Sequence, residues 1–148
     1  LWHFEAVGVS FIVILAEWVV LAALYLNVRK TARRGAEWMP ISLYTAWVTV
    51  ATIANMAILI TRALDGGLPF FNGLSAIALS AGVLALGYLM KKSYDDWVFP
   101  VVFLWALVGV GVNVAPVSGF TAAVVLLLCA VGGILTFLPT GALRGLRG

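Results

Sequence analysis

The sequence predicts an all-α integral membrane protein, a bundle of five transmembrane helices. Three observations predict it. Hydrophobic residues make up 64% of the 148 and charged residues only 10%, where a water-soluble domain carries about 25% charged residues. Five stretches approach the roughly 20 apolar residues that cross a hydrocarbon core about 30 Å thick. Lysine and arginine gather in the connections at alternate ends of those stretches, as they do in loops on the cytoplasmic face of a membrane.

The first span runs from about Val7 to Val28 and stops at the basic segment RKTARRG, residues 29–35. The second, about Ile41 to Leu64, follows Pro40 and ends at DGGLP, residues 65–69, whose glycines and proline cannot sustain a helix. The third, about Gly73 to Met90, is closed by KKSYDD, residues 91–96. The fourth, about Trp97 to Val114, gives way to APVSG, and the fifth, about Ser118 to Leu138, leads into a basic tail. Residues 1–148 thus read as one transmembrane helical domain.

On this register Arg29, Lys30, Arg33, Arg34, Lys91, Lys92, Arg144 and Arg147 fall on one side and only Arg62 on the other. A missed span would exchange the sides downstream and destroy that asymmetry. The expected orientation is an outside N-terminus and a cytoplasmic C-terminus, in a bacterial cytoplasmic (inner) membrane. Trp2, Trp38, Phe70, Phe71 and Trp97 lie near the predicted interfaces, where bulky rings anchor helix ends. The chain starts on Leu1 with no basic n-region and cleavage site ahead of its first apolar run. It is therefore expected to carry no signal peptide, and Leu1 is expected not to be the first residue of its gene.

Several function classes find no support. The net charge of +3 comes from short connections rather than a basic face, so nucleic acid is not an expected partner. The single cysteine, Cys129, sits in an apolar run and reads as a small packing residue. His3 and Glu5 make a poor metal site, and neither a phosphate-cradling loop nor a nucleophile elbow occurs. The expectation is a protein that is not an enzyme. Rings of polar residues on several helices, which a channel needs, are also missing.

Glu17 lies near the middle of the first span, where an ionisable side chain costs at least about 2.5–3.5 kcal/mol unless it faces protein, a ligand or water, or is neutral. It reads either as a proton or ligand-contact site, or as a neutral acid hydrogen-bonded to a neighbouring helix. The second span is the most polar. Trp47, Ala51 and Asn55 recur every four residues on one face, with Thr45, Thr49 and Thr52 alongside. At about 1.5 Å per residue, Thr52 and Asn55 reach nearly the depth of Glu17. These side chains either line a site or serve as interhelical hydrogen-bond glue. The small residues of the later spans, Ala78, Gly82, Gly87, Gly109, Gly111, Gly132 and Gly133, predict close helix packing.

The segment SLYTAWVTVATIAN, residues 42–55, resembles the last helix of the translocator protein (TspO/MBR) family, which reads approximately PYxxWxxxATxxN. Tyr44, Trp47, Ala51, Thr52 and Asn55 match, and Leu43 stands in place of the proline. The segments WHFEAVGVS, residues 2–10, and WALVGV, residues 105–110, look like parts of the larger bacterial relatives known as tryptophan-rich sensory proteins. The likeness to the translocator fold itself lies in the first two spans, and only the longer bacterial group extends over the rest.

The resemblance implies a five-helix bundle holding a tetrapyrrole or sterol-like ligand in an apolar pocket, with Tyr44, Trp47, Ala51 and Asn55 as the ligand-binding positions; Glu17 and Thr52 are the intramembrane polar positions already marked by their depth, and pigment or lipid is the alternative cofactor. It also implies that the helices forming the opposite pocket wall precede Leu1. The chain would then be the C-terminal portion of a protein of about seven or eight spans, or a copy that has lost the site.

Three functions follow in order: a non-catalytic binder of an apolar or tetrapyrrole-like ligand, an accessory subunit of a larger membrane assembly in contact with pigment or lipid, and a proton-linked transporter centred on Glu17. The last is ranked lowest because neither repeat symmetry nor broken helices are evident. Membrane lipid and other membrane subunits are the expected partners.

Overall fold

A computed structural model describes residues 7–31, 35–63 and 69–138. Trp2, His3, Glu5, Arg33, Arg34, Arg144 and Arg147 lie outside the described residues, as do the side chains of Arg62, Phe70 and Phe71. The described chain forms five helices: α1 (Val7–Thr31), α2 (Gly35–Ala63), α3 (Pro69–Tyr94), α4 (Val98–Val114) and α5 (Gly119–Phe137). Four are long and apolar enough to cross a membrane by length and composition, and α4 is apolar but 17 residues long. At about 1.5 Å per residue it spans roughly 25 Å.

Where the helices begin and end differs from the sequence expectation mainly at α2 and α3. Pro40 lies inside α2 rather than before it. It sits in the second turn, where its missing N–H and ring cost one helical hydrogen bond, and that loss does not stop the helix. Pro69 opens α3 four residues ahead of the apolar run, a position that tolerates proline because the first N–H groups of a helix have no partner in any case. The α3–α4 connection is only Asp95, Tyr94's neighbour at φ 51°, followed by Asp96 and Trp97. An aspartate adopts this left-handed conformation more readily than most residues, and it lets the chain reverse within three residues. Ser118 caps α5 by accepting from the Thr121 N–H at 3.2 Å, the role expected of serine at that position.

Helix α4 is the hub. It packs on α2, α3 and α5, α3 also packs on α5, α1 packs chiefly on α2, and α2 and α3 meet only marginally. The hub follows from side-chain size. Gly87 of α3 would place a Cβ 3.1 Å from the Phe103 ring and 3.3 Å from the Pro100 backbone, so glycine here lets the two helices approach without pushing the ring or the backbone aside. The core collects at the same end: Tyr25, Ala46, Val83, Val98, Phe99, Val102 and Phe103. Its rings meet edge to face, Tyr25–Phe99 at 5.3 Å and Phe99–Phe103 at 5.6 Å.

This end also carries the described basic residues, Arg29, Lys30, Lys91 and Lys92. Arg29 lies over the Trp38 ring at 4.1 Å and Lys91 over the Phe137 ring at 4.3 Å, contacts that pair a cation with an aromatic face at helix ends. Elsewhere the outward faces of the described helices are mainly hydrocarbon. On α1, Ile12 and Val20 are each 67% exposed, which in water would be untenable over a whole helix and in lipid is the expected surface.

Candidate ligand-binding site

The polar residues of α1 and α2 separate into three groups with different surroundings. Near the middle of the bundle, the Tyr44 hydroxyl donates a short hydrogen bond to Glu17 Oε1, joining α2 to α1. One turn further, Trp18 Nε1 donates to Thr49 Oγ1 at 2.9 Å. Glu17 therefore meets the neighbouring helix through Tyr44, two turns nearer the basic end than the depth count to Thr52 and Asn55 suggests. The difference arises because a tyrosine hydroxyl stands well out from its backbone and reaches along the interface.

Thr45, Thr49 and Thr52 donate back to the carbonyls four residues earlier, Ile41, Thr45 and Val48, at 2.7–2.8 Å. Such bonds absorb the hydroxyl proton within the helix. Asn55 is 7% exposed, donates Nδ2 to the Ala51 carbonyl at 2.9 Å, and leaves its buried Oδ1 without a hydrogen-bond partner. Ala51 is half-buried beside it.

The third group was not singled out by sequence reasoning. Asp96, in the three-residue α3–α4 connection, is 0% exposed. Its Oδ2 accepts from the Tyr25 hydroxyl at 2.9 Å and from the Ser42 hydroxyl, and its Oδ1 accepts from the Val98 N–H at 2.9 Å. One carboxyl group thus ties α1, α2 and the start of α4 together. The available signal was its place two residues before an apolar helix, where an aspartate commonly bonds the first free N–H groups. The two hydroxyl partners, 71 and 54 residues away in sequence, had no signal.

Two concavities stand out among the described residues. A groove of about 570 Å³ between α2 and α4 is lined by Pro40, Leu43, Tyr44, Trp47, Val101, Val102 and Trp105. Trp47 and Trp105 are 5.2 Å apart between ring centroids and inclined at 40°. The pair gives the groove two indole walls, while Pro40, Leu43, Val101 and Val102 supply hydrocarbon. The lining is thus apolar and aromatic, with the Tyr44 hydroxyl as its polar group. Of the positions expected to bind ligand, Tyr44 and Trp47 come together here. Ala51 and Asn55 do not line it; they lie about 6 and 12 Å further along α2 than Trp47. Trp105 is the residue missed: it lies in the segment WALVGV, but nothing in the sequence pairs it with Trp47.

The second concavity, about 450 Å³, lies between α2, α3 and α4 toward the end remote from the lysines. Among the described residues, no group of three or more histidine, cysteine, aspartate or glutamate side chains is placed to hold a metal ion.

The profile of the family described as TSPO-like protein matches residues 1–138. No curated protein and no solved structure matches the chain. The family match runs across all five helices, well past the two that carry the translocator-like motif. Five packed helices, apolar outward faces and a profile match over nearly the whole length agree, and the chain belongs to the TSPO-like family of membrane proteins.

Proposed function

We propose that this protein is a non-catalytic binder of a flat, largely apolar ligand of tetrapyrrole class, held in the groove between α2 and α4. The observation that carries the reading is the Trp47–Trp105 pair at 5.2 Å on the wall of a groove of about 570 Å³. That volume lies within the range of small-molecule sites, roughly 300–1,000 Å³. Its lining is hydrocarbon and indole, with the Tyr44 hydroxyl turned to Glu17 at the rim. Family membership supports a membrane-embedded binding role. The groove opens toward lipid in the half of the bundle nearer Arg29 and Lys91. With the basic end in the cytoplasm and the N-terminus outside, in a bacterial inner membrane, a ligand would enter from the cytoplasmic half of the bilayer.

Titration of the detergent-solubilised protein with protoporphyrin tests this, read by quenching of tryptophan fluorescence. Saturable quenching is expected. Replacing both walls, Trp47→Ala with Trp105→Ala, should weaken binding at least about tenfold, which corresponds to about 1.4 kcal/mol. Trp18→Phe, on α1, should leave the affinity within about twofold. Equal affinity in the parent and in the double variant would remove the groove from consideration. Co-purification of a second membrane protein seated on Trp47 and Trp105 would favour an accessory-subunit role instead.

A further inference from the structure

The cavity of about 450 Å³ between α2, α3 and α4 plays no part in that reading. It exists because α3 closes on α4 near the basic end, while toward its start it leans on α5, Gly73 against Thr121, and stands away from α2. Near the basic end, Gly87 lets α3 close onto Phe103 and Pro100 of α4, and the buried Val83 and Leu107 form the base. Toward the other end the facing residues are Ala54 and Ala57 on α2 and Ser75 and Ala76 on α3. Among the described residues no large side chain fills the space between them, and α2 and α3 hardly meet. The result is a wedge with α4 as its back wall.

We infer that the wedge takes one hydrocarbon tail of a bilayer lipid, which slides in sideways between α2 and α3. Three features of the wedge select this occupant. Its inner part is apolar: Ser80 is 2% exposed and spends its hydroxyl proton on the Ala76 carbonyl at 2.7 Å, leaving Val50, Val83 and Leu107 to face the space. The polar positions Ser75 and Asn113 sit at the opposite end, six to eight residues from the base, which is roughly 9–12 Å along the helices. That gradient, apolar within and polar toward the membrane surface, matches a tail anchored to a headgroup. Ala54, Ser75, Val110 and Asn113 on the walls keep exposed surface, so the wedge communicates with its surroundings. An empty apolar void would forfeit dispersion contacts along its whole lining, and in a membrane the molecules at hand to restore them are lipid tails.

The test is photo-crosslinking in nanodiscs of phosphatidylcholine containing a trace of the same lipid with a diazirine on one tail, the labelled sites being mapped by mass spectrometry. Label on Ala54, Ala57 and Leu79 should exceed that on Ile12 and Val20, which are freely lipid-facing on α1, by at least about fivefold. Filling the wedge with Ala54→Leu and Ala76→Leu should remove that excess while label on α1 stays, and unchanged helicity of the variant checks that it has folded. Trp47→Ala with Trp105→Ala should leave the wedge label intact, so the outcome is independent of the groove. Label spread evenly over α1 and the wedge would overturn the proposal, and this comparison uses the parent protein alone.

Discussion

Removing the Asp96 carboxyl group should separate three elements at once. Asp96 accepts from Tyr25 on α1, Ser42 on α2 and the Val98 N–H at the start of α4, and all of these groups are buried. In Asp96→Ala, Ser42 can relax, because a helical serine hydroxyl can turn to the carbonyl four residues earlier. Tyr25, 2% exposed, and the Val98 N–H have no such alternative. Each buried donor left without a partner costs about 1–3 kcal/mol, so the substitution should destabilise the bundle by about 2–6 kcal/mol. Tyr25→Phe alone leaves Asp96 with two donors and should cost only about 0.5–1.5 kcal/mol.

The two changes should not add. With the carboxyl gone, Tyr25→Phe removes an orphaned hydroxyl, so the double variant should be no less stable than Asp96→Ala. A coupling of at least about 1 kcal/mol is expected from residues in one hydrogen-bonded network. Reversible unfolding by sodium dodecyl sulfate in mixed micelles, followed by helical circular dichroism, measures all four free energies. An Asp96→Ala protein within about 0.5 kcal/mol of the parent, or strictly additive changes, would refute the view that this carboxyl clamps the helices.

Other expectations follow from single contacts. Asn55→Leu should preserve or raise stability, by up to about 1–2 kcal/mol in the same titration, because it removes a buried Oδ1 that has no partner; a loss of more than about 1 kcal/mol would mean that Asn55 holds something the bundle needs. Gly87→Leu should cost at least about 1–3 kcal/mol, since the new side chain meets the Phe103 ring and the Pro100 backbone. Gly111→Ala should cost less, because the atoms its Cβ meets belong to the Leu126 side chain, which is 39% exposed and can turn away. Thr49→Val breaks the 2.9 Å bond from Trp18; about 0.6 kcal/mol is expected, the average for hydrogen bonds between membrane helices, with a shift in Trp18 emission as the companion readout.

The membrane bundle was legible because its causes are local in sequence. Hydropathy over about 20 residues selects a helix in lipid, where a backbone without internal hydrogen bonds is untenable, and the break at APVSG is chemical punctuation, whereas α3 runs through the first four residues of KKSYDD before it stops. Helix ends were less legible: α2 passes through Pro40 and α3 begins at Pro69, since the cost of one lost hydrogen bond is set against packing that no short window contains. Glu17 announced itself as a costly residue needing a partner, and its partner was the neighbouring helix, but the identity of Tyr44 depended on how α1 and α2 are rotated.

The candidate site was legible in part for the same reason. The spacing of Trp47, Ala51 and Asn55 places them within one wide face of a helix, and the sequence alone determined that this face carries an indole and an amide at membrane depth. Only the packing decided that α4 lies against Trp47, and so brought Trp105, 58 positions along the chain, to the groove. In water, burial would drive apolar faces together and leave a periodic trace in the sequence. In lipid both faces of a helix can be equally apolar, so helix neighbours are chosen by fine contacts such as Gly87 on Phe103 and Asp96 on Tyr25, which acquire meaning only once the helices have met.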